Sequence, residues 1–324
     1  MDRPVKDAIL AASERIAPYV RETPLERASA FDALLKLEHL QHTGSFKFRG
    51  AANKIGLLTP RQAAAGVVTA SNGNHGLAVA AASQARGIAA EVFVSSHVSP
   101  AKAKRIAARG ARIHCAGEDP LTAELAARRA AEESGRIYIS PYNDCDVVAG
   151  QGTIAVELLR QVVAVHGAVD AAVDATLDAV FVAVGGGGLI GGIGAYLKAV
   201  SPHTEVVGCW PENSPVMRAC LDAGKIVDVA ERPTLSESTA GGLEPGSVTF
   251  DLCRRVIDRS VLVTEEEILG AMHLILETEH WVIEGAAGVA VAAFLKHASH
   301  YRGKTVAIVI CGRNLSEGVL QRLC

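Results

Sequence analysis

Short apolar runs alternate with helix-patterned segments along this sequence, and that alternation restricts the possible folds more than any other feature. Residues 67–69, 90–94 and 112–115 read as strands, separated by an alanine-rich helical segment at 77–86 and another at 100–109. A further helix is expected near 121–134. The rhythm resumes with a helix at 154–166, a buried strand at 179–184, a helix running to 200 and a strand at 205–209. Helices at 265–279 and 286–298 precede a last strand at 305–311. Strands this short and this apolar are covered on both faces, and strands joined through helices run parallel. The pattern predicts an α/β protein with two doubly wound parallel-sheet lobes. Residues 1–65 and 145–324 would form a large lobe and 66–144 a small one. Ligands of such folds sit in the crevice between lobes.

The start of the chain is less rhythmic. A helix is expected over 5–20, a strand over 34–37 and a second helix over 46–58, ending near Pro60. Residues 211–246, rich in Pro, Gly, Ser and Glu, read as loop with one helix near 215–223. At 324 residues, 49% of them hydrophobic, the chain can bury a large core. A net charge of -3 offers no basic field, so no nucleic-acid partner is expected. The first residues lack the apolar centre of a signal peptide. No uninterrupted apolar run reaches the length of a membrane span, and 179–193, the nearest, is broken by glycines. No membrane partner is expected either. The seven cysteines are scattered and odd in number, without a Cys-x-x-Cys pair. That fits neither a disulfide framework nor a zinc site, and implies a reduced, cytoplasmic protein.

Two stretches carry chemistry. Lys47 stands between Phe46 and Phe48, where apolar neighbours would exclude water, lower the amine pKa and leave a nucleophile able to form a Schiff base. The structural alternative is a surface lysine snorkelling past two core aromatics. Gly185-Gly186-Gly187-Gly188 follows a strand and opens a helix, so its N–H groups can surround an anion at a positive helix end. The alternative is a turn chosen for close packing. Gly186-x-Gly188-x-x-Gly191 also satisfies the dinucleotide fingerprint, but that reading needs an acidic residue ending the next strand. Here the strand ends Gly208-Cys209-Trp210, which favours a compact phosphate over a dinucleotide oxidoreductase.

Six stretches together identify a likeness. They are Thr43-Gly44-Ser45-Phe46-Lys47-Phe48-Arg49-Gly50, Asn72-Gly73-Asn74-His75-Gly76, Ala149-Gly150-Gln151-Gly152-Thr153, Gly185 to Leu189, Glu284-Gly285-Ala286-Ala287-Gly288 and Cys311-Gly312-Arg313-Asn314. In this order the chain resembles the fold type II pyridoxal-phosphate enzymes (tryptophan synthase β-like), in the threonine/serine dehydratase and serine racemase branch. The resemblance implies pyridoxal 5'-phosphate between the lobes, bound to Lys47 as a Schiff base. Phe46 would lie beside the pyridine ring and Asn74 would bond its 3-hydroxyl oxygen. Gly185, Gly186, Gly187, Gly188 and Leu189 would hold the phosphate, and Cys311 would face the pyridine nitrogen where relatives usually carry serine. Ser71, Asn72, Gly73, Asn74 and His75 would form the loop receiving the carboxylate of a small amino-acid substrate. For His75 a hydrogen bond within the loop is an equally good reading. A homodimer is implied.

Three departures qualify what the resemblance implies. Asn72 stands where the racemase branch places an acid–base serine, and an amide exchanges no proton at neutral pH. Trp210 and Val216 replace the glutamate and aspartate of metal-binding relatives, so no metal is expected. Gly241 replaces an acidic residue above the substrate in some relatives, which opens space there. The expected activity is dehydration of a β-hydroxy amino acid such as L-threonine or L-serine to a 2-oxo acid and ammonia. A larger substrate (3-hydroxyaspartate, phenylserine, a hydroxylated diamino acid), serine racemisation and cysteine synthase-like β-replacement are the alternatives. Phe48 and His75 speak against the last, whose enzymes usually have aspartate after the lysine and threonine in the asparagine loop. At this length no C-terminal regulatory domain is expected.

Overall fold

A computed structural model of the chain describes residues 5–167 and 176–323; the rest of the N-terminal stretch considered above, 1–4, lies outside them, as does Cys324. The first elements are α1 (Val5–Ile16), β1 (Leu25–Arg27), β2 (Leu34–Lys36), α2 (Lys47–Gly56) and α3 (Pro60–Ala65). Next come β3 (Val67–Ala70), α4 (Asn74–Gln84), β4 (Ala90–Val94), α5 (Pro100–Ala107), β5 (Arg112–Cys115), α6 (Pro120–Ser134) and β6 (Ile137–Tyr138). The middle holds α7 (Cys145–Gly167), β7 (Ala179–Ala183), α8 (Gly188–Val200), β8 (Glu205–Pro211) and α9 (Val216–Ala223). The chain closes with α10 (Val248–Val256), β9 (Arg259–Val263), α11 (Glu265–Glu279), α12 (Gly285–His297), β10 (Val306–Val309) and α13 (Glu317–Gln321).

The strands form two sheets. One has six strands in the order β1-β2-β10-β7-β8-β9, parallel except for β1. The other has four parallel strands in the order β5-β4-β3-β6. All five residues of β7 are buried, as expected of a strand covered on both faces. All the strands expected from the alternation are present. β1 and β6, three and two residues long, are too short to show a period and were not foreseen. The first helix stops at Ile16 instead of continuing to 20, because Pro18 lacks a backbone donor and restricts Ala17 before it. The expected loop at 211–246 contains α9, as foreseen; α10 and β9, which follow it, were not foreseen.

Three helices meet at backbone distance. A Cβ on Gly150 of α7 would lie 2.7 Å from Arg49 O and from Gly50 Cα on α2. A Cβ on Gly192 of α8 would lie 2.4 Å from Val148 O, and one on Gly152 would lie 2.9 Å from Gly192 O. Only glycine permits such crossings. Helix α7 thus lies between α2 and α8. α7, whose apolar run is interrupted by Gln151, Glu157, Arg160 and Gln161, is by length and composition apolar enough to cross a membrane; 67% of its apolar stretch is buried, the pattern of a core helix. Phe48, Ala51, Ala52 and Ile55 of α2 bury in one cluster with the alanines of α4 and with Val67 and Val92 of the four-stranded sheet, so the helix that begins at Lys47 packs against α4, which covers that sheet.

Candidate active site

The site is built at the C-terminal ends of β7 and β10, where parallel strands hand over to helices. Gly187 takes φ +82° and caps α8 without a side-chain hydrogen bond. The first N–H groups of α8 therefore have no partner within the helix and carry its positive end. A Cβ on Gly185 would lie 2.8 Å from Thr239 Cα, and one on Gly186 would lie 2.4 Å from the Tyr142 ring. The glycines thus leave a side-chain-free cradle bounded by Thr239 and Tyr142.

Lys47 opens α2 and reaches the same cavity, lined also by Phe46, Asn74, Leu189 and Cys311. Its Nζ donates to Pro141 O at 2.8 Å and lies 5.2 Å from the Phe46 ring centre. Burial lowers the amine to about 8, while Glu284 and Cys311 act in the opposite direction. Cys311 is itself buried, and burial pushes its thiol well above the usual value, so it remains neutral at pH 7.

A buried ionic cluster fixes α2 two residues beyond Lys47. The Arg49 guanidinium pairs with both carboxylate oxygens of Glu38 (2.8 and 2.8 Å) and both of Glu157 (2.7 and 2.8 Å). Lys36 Nζ donates to Glu157 at 2.7 Å and to Thr23 O at 2.7 Å. Two cations and two anions balance. The planar fork of arginine suits this bidentate arrangement in a way lysine would not.

The loop at 71–75 enters α4. Gly73 N–H donates to Ser71 Oγ at 3.1 Å. Asn72 faces Ser95, donating to its hydroxyl at 2.7 Å and accepting from its N–H at 2.9 Å. His75 is buried with Nε2 3.0 Å from Ile139 O, and burial together with the Lys47 charge lowers it to about 3. Its ring is therefore neutral and turned into the protein. Gly241, at φ +119°, is exposed, with nothing within 4 Å of where a Cβ would lie, and donates to Glu231 at 2.9 Å. Trp210 and Val216 are buried in the large core.

The structure thus brings Phe46, Lys47, Asn74, Gly185, Gly186, Gly187, Gly188, Leu189 and Cys311 to one cavity. The side chains of Ser71, Asn72 and His75, with Gly73 and Gly241, do not line it. Sequence reasoning assigned no role to Tyr142, Ser238, Thr239 or Glu284. For Glu284 a signal existed: a lone carboxylate between Trp281-Val282-Ile283 and Gly285-Ala286-Ala287. Such a group is buried only with partners.

The residues present fit pyridoxal phosphate. A cradle that any Cβ would obstruct suits a phosphate held by backbone N–H groups, and a buried amine of lowered pKa suits Schiff-base formation. Residues 16–312 match the family described as pyridoxal-phosphate dependent enzyme. The L-threonine ammonia-lyase of Thermotoga maritima is 38% identical over 299 residues, covering 92% of this chain and 71% of that protein. The serine racemase of Oryza sativa subsp. indica is 31% identical over 324 residues, covering 97% and 91%. The structure of maize serine racemase matches with a TM-score of 0.88 at 30% identity, covering 98% of this chain and 95% of that one. With the cradle, the buried lysine and these relatives in agreement, the chain belongs to the pyridoxal-phosphate dependent enzymes of fold type II and is a lyase that uses this cofactor.

Proposed function

We propose that this enzyme is an ammonia-lyase that converts a β-hydroxy amino acid such as L-threonine or L-serine to a 2-oxo acid and ammonia. The observation that carries the reading is the buried Lys47 amine, lowered to about 8, in one cavity with the glycine cradle and the neutral Cys311 thiol. The likeness to L-threonine ammonia-lyase supports it. When bound, pyridoxal phosphate supplies the electron sink for the pair left as the Cα–H bond breaks. Lys47 serves as the base for that proton: an amine of this pKa is about one-tenth neutral at pH 7 and mostly neutral above pH 8. The N–H groups of residues 185–189 anchor the phosphate. Asn74 meets the ring hydroxyl, and Phe46 packs beside the ring. Cys311, unlike a carboxylate, brings no charge to keep the ring nitrogen protonated, which favours loss of a β-substituent over transamination.

Backbone N–H groups of Asn72, Asn74 and His75 in the 71–75 loop receive the substrate carboxylate, since the Asn72 and His75 side chains and the N–H groups of Ser71 and Gly73 are already engaged. The open space at Gly241 is compatible with a substrate larger than threonine. The likeness to serine racemases favours racemisation as the second reading, but the side chain of Asn72 offers no exchangeable acid for the opposite face. We further propose a cytoplasmic homodimer. A panel of β-hydroxy amino acids, with 2-oxo acid and ammonia measured in parallel, tests the reading. Equimolar release of both from L-threonine or L-serine is expected; their absence across the panel refutes it.

A further inference from the structure

Glu284, the residue before α12, is 4% exposed, and its carboxylate joins three segments that are far apart in sequence. Asn74 Nδ2 lies 3.0 and 2.9 Å from its two oxygens, Ser238 Oγ donates at 2.8 Å, and Asn314 N–H donates at 3.1 Å. Gly312 makes room for it, because a Cβ there would lie 2.5 Å from Glu284 Oε2. Asn314 Nδ2 in turn donates to Asn74 Oδ1 at 2.6 Å. The orientation of the Asn74 amide is fixed from both ends.

Burial favours the neutral acid and pushes this carboxyl up, while the hydrogen bonds from Asn74, Ser238 and Asn314 favour the anion. The hydrogen-bond inventory decides between them. The contacts from Asn74 and Asn314 come from N–H groups, which can only donate, and Asn74 Oδ1 is already taken. A protonated carboxyl could direct its own hydroxyl only at Ser238 Oγ, while the three N–H contacts from Asn74 and Asn314 converge on its oxygens. The carboxylate form fits.

We propose that Glu284 is a positioning residue for Lys47 chemistry: as a buried anion it holds the Asn74 amide at the cavity that Lys47 enters and sets its negative charge beside that cavity. This rests on reading Lys47 as the lysine that carries the cofactor. Burial lowers Lys47, and Glu284 partly offsets that shift. Removing the negative charge therefore lowers the amine pKa further. Only the neutral amine attacks an aldehyde, forming the C=N bond with loss of water. The rate at which apoenzyme takes up pyridoxal phosphate should accordingly rise with pH through the Lys47 pKa.

The experiment mixes apoenzyme with pyridoxal phosphate between about pH 6 and pH 10 and follows uptake by absorbance, with borohydride trapping and peptide mapping at Lys47. The unmodified enzyme should show a midpoint near about 8. Glu284→Gln should move it to lower pH. Glu284→Asp keeps the charge but shortens the reach to Asn74, so its midpoint should stay in place while kcat falls with little change in KM. An unchanged midpoint in folded Glu284→Gln overturns the inference. If that variant does not fold, Asn74→Ala is read instead. Loss of both amide contacts raises the Glu284 carboxyl and should lower the midpoint in the same sense; no shift there also overturns it. A trapped adduct absent from Lys47 in the unmodified protein refutes the underlying reading of the site instead.

Discussion

Replacing Arg49 with methionine would remove the centre of the buried ionic cluster while keeping most of its volume. Two cations and two anions share that cluster, so the variant would leave Lys36 with Glu38 and Glu157 and a net buried charge of -1. Glu38 would lose both guanidinium contacts and keep a single side-chain donor, Thr23 Oγ1 at 2.5 Å. Breaking a buried pair by removing one partner costs about 3–5 kcal/mol. For a chain of 324 residues, at roughly 2 °C per kcal/mol, that is a fall in Tm of roughly 6–10 °C. The pH dependence sharpens the test. Burial alone would push the Glu38 carboxyl up, but Arg49 and Lys36 hold it below its usual value. A depressed carboxylate stabilises the fold above its unfolded pKa, and that contribution is lost as pH falls through the folded one. Without Arg49 the carboxyl is no longer held down and takes up a proton readily. The gap between variant and parent should therefore be widest near pH 7 and narrow toward pH 5. Thermal melts by circular dichroism at both pH values measure it. A variant melting within about 2 °C of the parent at pH 7, or a gap that widens on acidification, would refute the reasoning.

Other perturbations address the site directly. Gly186→Ala would drive a methyl group to 2.4 Å from the Tyr142 ring, so cofactor affinity should fall at least about tenfold with little loss of secondary structure; titration of apoenzyme with pyridoxal phosphate checks this. In deuterium oxide, L-serine or L-threonine should give 2-oxo acid with little D-enantiomer, and Asn72→Ser should raise the racemised fraction modestly; chiral chromatography showing D-amino acid forming as fast as 2-oxo acid in the parent would count against the assignment. EDTA should leave turnover unchanged because Trp210 and Val216 cannot ligate a hard cation, and a loss of activity restored by magnesium would place a cation elsewhere.

What could be read from the sequence was local. The strand, glycine turn and helix at 179–200 are contiguous, so β7, the cradle and α8 followed from composition and spacing. Lys47 was legible because both flanking residues are aromatic. Glu284 stood out as a lone carboxylate, but its partners did not, because Asn74, Ser238 and Asn314 lie 210, 46 and 30 residues away. Tyr142 was missed for the same reason: its hydroxyl accepts from the N–H of Glu244, 102 residues on. Asn72 and His75 were read as parts of one loop, but which way their side chains turn depends on Ser95 and Ile139. Long-range hydrogen bonding leaves no local pattern in a single chain.

The glycine crossings of α2, α7 and α8 act as a gauge block. Lys47 stands at the start of α2 and the glycine cradle at the start of α8, and α7 lies between the two helices with backbone close to backbone at its glycine crossings. At the crossings at Gly150 and Gly192 backbone meets backbone, and no flexible side chain that could swell, tilt or hop between rotamers stands between the two. The span from amine to glycine cradle is machined to the thickness of one helix. A cofactor tethered at both ends demands that tolerance: a slip of an ångström at either helix would pull the ring out of line with the bond to be broken.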